Sequence, residues 1–212
     1  GLGKNGSPFG TIHPFNMMKK IILLCLSFVL LSGCVKSAAV DTSAWQNYQN
    51  QYYHFQISYP EGTFYCFNAY CVNQIPEDAL ATFTVLNTLG ETVLSIQPYK
   101  NELGMTAMEY GEKAADYNEN IHDAESTTFA GQEAFGFTTD EGFYEPGGTR
   151  GVTEDGHMSL TYDAAAIEVP FVEISETSQV IYVDYGNYFY RIICRDTDEE
   201  VKAMVGSFEF LE

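Results

Sequence analysis

The chain has 212 residues, of which 10 are Lys or Arg and 29 are Asp or Glu, for a formal charge of −19. A field of that sign repels phosphate backbones and anionic headgroups, which argues against nucleic acid or a polybasic membrane contact. It suits a cation or a basic partner, or simply keeps the folded body in solution.

Residues 1–16 precede the first methionine, show no apolar period, and are set aside as an upstream or added segment. Residues 17–33 have the three parts of an export signal. Met17, Met18, Lys19 and Lys20 make a positive start, 21–31 is almost wholly apolar, and Ser32-Gly33 supplies small residues before Cys34. The apolar run is about half of the roughly 20 residues a spanning helix needs, so it reads as a removable leader. The stretch Leu31-Ser32-Gly33-Cys34 resembles the lipobox of bacterial lipoproteins. The resemblance implies that signal peptidase recognises Leu31, Ser32 and Gly33, that the Cys34 thiol takes a diacylglyceryl group, and that the chain is cut before Cys34. Two or three acyl chains, at about 0.8 kcal/mol per buried methylene, would hold the protein durably on the membrane. The expected location is the cell envelope, on the extracytoplasmic face of a bacterial membrane. From Cys34 onward there are 7 basic and 29 acidic residues, a formal charge of −22.

Residues 34–44 are small or polar beyond the lipidated cysteine and read as a flexible tether, with one domain over 45–212. Trp45, Tyr48 and Tyr52 are spaced to share one side of a weak helix. Phe55, Ile57 and Tyr59 alternate with polar residues, the mark of a strand buried on one face, and 63–67 continues as a second short strand. Residues 81–86 and 92–98 form an antiparallel pair turning at Gly90. Thr106 and Glu109 fit a capping box, placing a helix over 107 to about 118 on one face of the sheet. Residues 126–129 and 133–139 are strands joined through Ala130-Gly131-Gln132. Residues 140–155, rich in Gly and carboxylates, read as a long, mobile excursion carrying little core. Strands are expected again at 166–174, 179–185 and 188–195, the last two joined by Gly186-Asn187, a strong hairpin signal. Asp196-Thr197-Asp198 can cap a closing helix over 199–205, and 207–211 tucks two aromatics back against the body.

Four of these stretches resemble the PsbP/Mog1-like superfamily, its bacterial lipoprotein members in particular. They are Phe55-Gln56-Ile57-Ser58-Tyr59-Pro60, Phe129-Ala130-Gly131-Gln132-Glu133-Ala134, residues 180–183, and Gly206-Ser207-Phe208-Glu209-Phe210. The implied fold is α+β, an antiparallel sheet flanked by helices in an α/β/α sandwich, which agrees with the elements above. The acidic stretch 140–165 departs from a compact member. Plant members assist photosystem II and yeast-type members a nuclear transport GTPase, but no residue here carries either role.

With Cys25 removed and Cys34 lipidated, Cys66, Cys71 and Cys194 remain. In an oxidising compartment Cys66 and Cys71 are the expected disulfide, while Cys194, in a strand-like run, reads as a buried small apolar residue. His54, His122 and His157 lie in different elements, so no metal site is assigned to them. Asp140, Glu141, Glu145, Glu154 and Asp155 could supply oxygens to calcium, but their spacing fails the EF-hand pattern and a solvated acidic loop is the expectation. No cofactor is assigned beyond the covalent lipid on Cys34. Tyr182, Tyr185, Tyr188 and Tyr190 crowd one hairpin; as outward rings they would form a ligand or partner surface, and as inward rings a sheet-helix interface, the commoner arrangement. No nucleophile elbow, phosphate loop or dinucleotide fingerprint occurs. The expected function is a lipid-anchored, non-enzymatic binding or assembly module for an unidentified protein or small ligand. The alternative is an extracytoplasmic enzyme, such as a hydrolase, built on the acidic loop, which two carboxylates facing each other across a cleft would reveal.

Overall fold

The computed structural model of the chain describes residues 39–61, 64–67, 70–72, 83–86, 90–152, 158–162, 171–174, 176–195 and 198–212, with 64–67, 70–72 and 148–152 described through the backbone alone. One compact unit spans Val40–Glu212. Its first element corrects the expected helix: Trp45 precedes a strand, β1 (Gln46–Asn50), which pairs antiparallel with β2 (Phe55–Tyr59). Asn and Gln are weak helix formers, and the inward residues Tyr48 and Asn50 alternate with exposed Gln49 as a pleated strand requires. The Asn50 side chain then closes the turn, its Oδ1 accepting from the N–H groups of Tyr52 and Tyr53 at 3.1 and 2.9 Å.

The next strands are β3 (Phe64–Phe67), β4 (Tyr70–Val72), β5 (Phe83–Leu86) and β6 (Thr92–Glu102), followed by helix α1 (Ala107–Tyr117). Strand β6 follows the expected turn, with Gly90 at φ +82°, a region other residues enter at a cost. The Thr106 capping box is complete: its hydroxyl accepts from the Glu109 N–H, and the Glu109 carboxylate accepts from the Thr106 N–H at 2.8 Å. Strands β7 (Ile121–Phe129) and β8 (Gln132–Thr139) form the expected hairpin, with Ala130 and Gly131 both at positive φ. The segment between β8 and the last hairpin contains β9 (Phe143–Tyr144) and β10 (Gly148–Val152), both within the expected excursion 140–155, and beyond it β11 (Met158–Tyr162) and β12 (Phe171–Val172). Then come the hairpin β13 (Ser178–Tyr185) and β14 (Tyr188–Arg195), helix α2 (Glu199–Gly206) capped by Asp198, and β15 (Glu209–Phe210).

The main sheet has the order β4-β3-β5-β6-β14-β13-β8-β7, all antiparallel. β11 adds to the far end of β6 in parallel, Ser159 opposite Lys100, and carries β10 on its outer side. Pro98, which cannot donate to a ladder, falls on β6 between the residues paired with β5 and those paired with β11. Alternation along β13 and β14 sends side chains to two cores. One face packs Ile181, Val183, Tyr190, Ile192 and Cys194 against α2 and the small β1-β2-β15 sheet, with Trp45 partly buried at its margin. The other packs Val180, Tyr182 and Phe189 against α1. The fold is mixed α+β, mostly antiparallel sheet with two helices among the described residues. No helix among them is long and apolar enough to cross a membrane.

The excursion carries more core than its acidic composition suggested. Phe143 is fully buried in the α1-side core and Glu145 is 1% exposed; beyond the excursion, Leu160 of β11 joins the same core. The strand expected over 166–174 is limited, among the described residues, to the β12 pair, and β11 was not anticipated. Both corrections have one cause: these short segments are held by distant partners on β6, β9 and β14 rather than by local pattern.

Candidate functional site

The most concentrated chemistry lies where the excursion meets the sheet. Arg191 projects from β14 on the α1 side and pairs with the Glu145 carboxylate just beyond β9, both side chains being almost wholly buried. The Tyr182 hydroxyl donates to Glu145 Oε1 at 3.1 Å. Arg191 Nε donates to Gln97 Oε1 at 3.0 Å, and its Nη2 donates to Gln97 Oε1 and to Tyr99 Oη. Gln97 in turn donates through Nε2 to Ser95 Oγ at 3.0 Å.

Burial alone would pull the Arg191 pKa down, but the Glu145 carboxylate outweighs it and holds the guanidinium charged well above its ordinary value. Burial, then the negative charge of Glu145, pushes the Tyr182 hydroxyl far up. The cluster therefore sets a charged guanidinium against the Glu145 carboxylate, beside a neutral phenol. Such a group clamps the Glu145 segment to β14, with the Tyr182 hydroxyl and the Arg191 guanidinium both held far from titrating near neutrality. Beside it a cleft of about 250 Å³ is lined by Thr84, Ser95, Gln97, Ser178 and Arg195, smaller than most ligand pockets. Arg195 there is committed to Glu91 and Glu176, each at 3.1 Å.

A second, more open hollow of about 560 Å³ lies at the start of α1, between Lys100, Thr106, Glu109 and Asn187. Nearby Asp184 accepts from Asn101 Nδ2 at 2.8 Å and from the Ala107 N–H at 2.5 Å. Burial raises the Asp184 pKa, and those two hydrogen bonds only partly pull it back. With Glu109 and Asp184 both on it, the helix N-terminus is already served by carboxylates.

At the surface the excursion presents an aromatic pair. Tyr144 and Phe171 face each other across β9 and β12, with ring centroids 5.0 Å apart, and are 51% and 53% exposed. Asn118, at the end of α1, clasps the Tyr144 backbone from both sides: its Nδ2 donates to the Tyr144 carbonyl at 2.7 Å, and its Oδ1 accepts from the Tyr144 N–H at 2.8 Å. Neither ring was singled out in the sequence. Phe143-Tyr144 is an apolar dipeptide in a polar, Gly-rich stretch, and Phe171-Val172 belongs to the apolar-rich run read as a strand over 166–174; neither pattern shows that one ring of each faces outward.

The four hairpin tyrosines do not make one outward surface; they pack inward, the commoner of the two arrangements, and to opposite faces. Tyr182 is buried on the α1 side, Tyr190 is buried on the opposite face, and Tyr185 and Tyr188 are partly buried beside Tyr190. The alternation of a strand splits them. Of the calcium candidates, Glu145 is occupied by Arg191 and Tyr182, and Asp140 accepts from Thr177 Oγ1 at 2.7 Å. Glu154 and Asp155 lie outside the described residues, as do His157, Leu31, Ser32, Gly33 and Cys34. His54 is exposed in the β1–β2 turn, and His122 is exposed 3.9 Å from Asp140. Among the described residues no group of three or more His, Cys, Asp or Glu stands close enough to hold a metal ion. Cys194 is buried, its Sγ 3.9 Å from Gln179 Oε1. Cys66 and Cys71 are directly opposed in the β3–β4 register.

No protein-family profile matches the chain, and no curated protein matches it. Among solved structures it is similar to cyanobacterial PsbP (CyanoP) from Synechocystis. The TM-score is 0.41 at 9% sequence identity, over 84% of this chain and 98% of that one. No residue role is carried over from that protein.

Proposed function

We propose that the chain is a lipid-anchored module on the extracytoplasmic face of a bacterial membrane that holds a partner rather than transforming a substrate. The anchor rests on Leu31-Ser32-Gly33-Cys34 and its leader. The binding role rests on one observation: Tyr144 and Phe171 are held outward on a clamped ribbon while their strand neighbours Phe143 and Val172 are buried. Two aromatic rings set side by side in water add little to the core and present a partner with flat apolar faces and, on Tyr144, a polar tip. The buried polar cluster supports the same reading, because its acid and base are engaged with each other.

The test is photocross-linking in native membranes with a benzophenone side chain at position 144. A discrete adduct absent when the probe sits at the exposed Lys202 of α2 is expected; equal labelling from both positions would overturn the binding role. The anchor has its own readout. Intact mass should begin at Cys34 and carry lipid, and a Cys34→Ala variant that stays equally membrane-bound after export would refute it.

A further inference from the structure

We infer that the Tyr144–Phe171 surface receives a basic, extended polypeptide segment, whose Arg or Lys side chains lie over the rings and pair with the carboxylates around them. The inference rests on the binding role proposed above and gives its partner a chemistry.

The platform is packed and hydrogen-bonded from beneath. The Phe171 ring lies on the backbone at Gly142, where a Cβ would come within 2.3 Å of Phe171 Cζ and 2.6 Å of the Val172 carbonyl. Asn118 fixes the Tyr144 backbone, and the next residue, Glu145, is locked to Arg191 beneath the surface. A contact made by such rings loses little conformational freedom on binding.

Charge selects the occupant. Along β12 and just beyond it, Phe171 is exposed, Val172 buried and Glu173 exposed, so Glu173 continues the outward row. Glu141 stands exposed immediately before Gly142, and Asp116 and Glu119 are exposed on either side of Tyr117-Asn118. Among the described residues, Arg191 is committed to Glu145 and Arg195 to Glu91 and Glu176, and Lys113 lies over the Tyr162 ring. An apolar partner would strip water from these carboxylates and return nothing. An anionic partner, including a second copy of this chain, would be repelled. A guanidinium or ammonium group gains from both the ring faces and the carboxylates.

The experiment titrates the full-length lipidated protein, held in zwitterionic detergent micelles, with a fluorescent nine-residue oligo-arginine and with oligo-glutamate of equal length. Binding of the basic peptide alone is expected, weakening with salt. Tyr144→Ser with Phe171→Ser should weaken it at least about threefold and up to about thirtyfold, the range open to cation–π contacts. Glu141→Gln with Glu173→Gln should weaken it too, whereas Glu199→Gln with Glu200→Gln on α2 should not. Thermal unfolding confirms that each variant is folded. Equal affinity for wild type and the aromatic variant, or equal loss from the α2 variant, would overturn the inference, since attraction would then be to net charge alone. A native adduct from position 144 whose contacting segment is neutral or acidic would overturn the partner chemistry and leave the binding role standing. Absence of any adduct from that position would remove the binding role itself.

Discussion

Glu145 and Arg191 meet where water is almost excluded, so neither charge has a second way of being solvated. Removing one partner from such a pair typically costs about 3–5 kcal/mol, because the other is left charged and buried. Glu145→Ala should therefore destabilise the protein by about that much in urea unfolding, whereas Glu145→Leu with Arg191→Met should recover much of the loss. Asp184 behaves in the opposite sense from most structural carboxylates. Its pKa is raised by burial from the ordinary 3.8, so as pH rises the unfolded chain releases this proton before the folded one. Stability contributed at this site should fall as pH rises from about 3.8 to the raised value and then level off. Carboxyl carbon NMR would locate that midpoint, and Asp184→Asn should flatten this part of the pH–stability curve. Both residues show where reading the chain stops. Glu145 looked like one more solvated acid in a Gly-rich stretch, and nothing local announces that Arg191, far along the chain, will cover it.

Elements whose signals are local were legible; elements held by distant partners were not. The Thr106–Glu109 box and the turns at Gly90, Gly131 and Gly186-Asn187 are settled within a few residues, and each stands where the sequence placed it. By contrast β1 carries aromatic spacing that suits a helix, and only pairing with β2 makes it a strand. β11 takes its place from β6, across a parallel register that no hairpin rule supplies. The closeness of α1 to the sheet is equally invisible in sequence. A Cβ at Gly111 would lie 2.6 Å from a Phe135 ring carbon and 2.8 Å from its Cβ. Gly111→Ala gains about 0.5–1 kcal/mol of helix propensity. Overpacking against a ring with nowhere to move costs about 1–3 kcal/mol. The clash should win, and thermal unfolding should show a net loss. In the β3–β4 hairpin, Cys66 stands directly opposite Cys71. Opposed antiparallel residues have Cα atoms about 4.5–5.5 Å apart, within the range a disulfide spans. Exported protein should therefore carry a Cys66–Cys71 bridge, seen as one linked peptide after proteolysis; alkylation of both thiols without prior reduction would contradict it.

For the whole molecule, charge and layering set the expectations. A body with 22 more acidic than basic residues after Cys34 repels itself, and at 0.1 M salt that repulsion is screened between charges more than about 10 Å apart. Its melting temperature should rise as monovalent salt goes from about 10 to about 150 mM, and scanning calorimetry at several ionic strengths would measure the slope. A melting temperature that fell over this range would mean that attractive pairs, such as those of Arg195, dominate the field. The excess acid was plain from composition. Its partition was not, since one carboxylate is sealed inside and others ring an aromatic platform.

The chain has a single indole, that of Trp45, and it sits at the margin of only one of the two cores. Its emission should follow the parting of β1 and α2 from the sheet and stay blind to a lifting of α1 from the other side. Optical melting curves from this chromophore would then report half of the molecule, and a mismatch with far-ultraviolet dichroism would reveal two layers that let go separately.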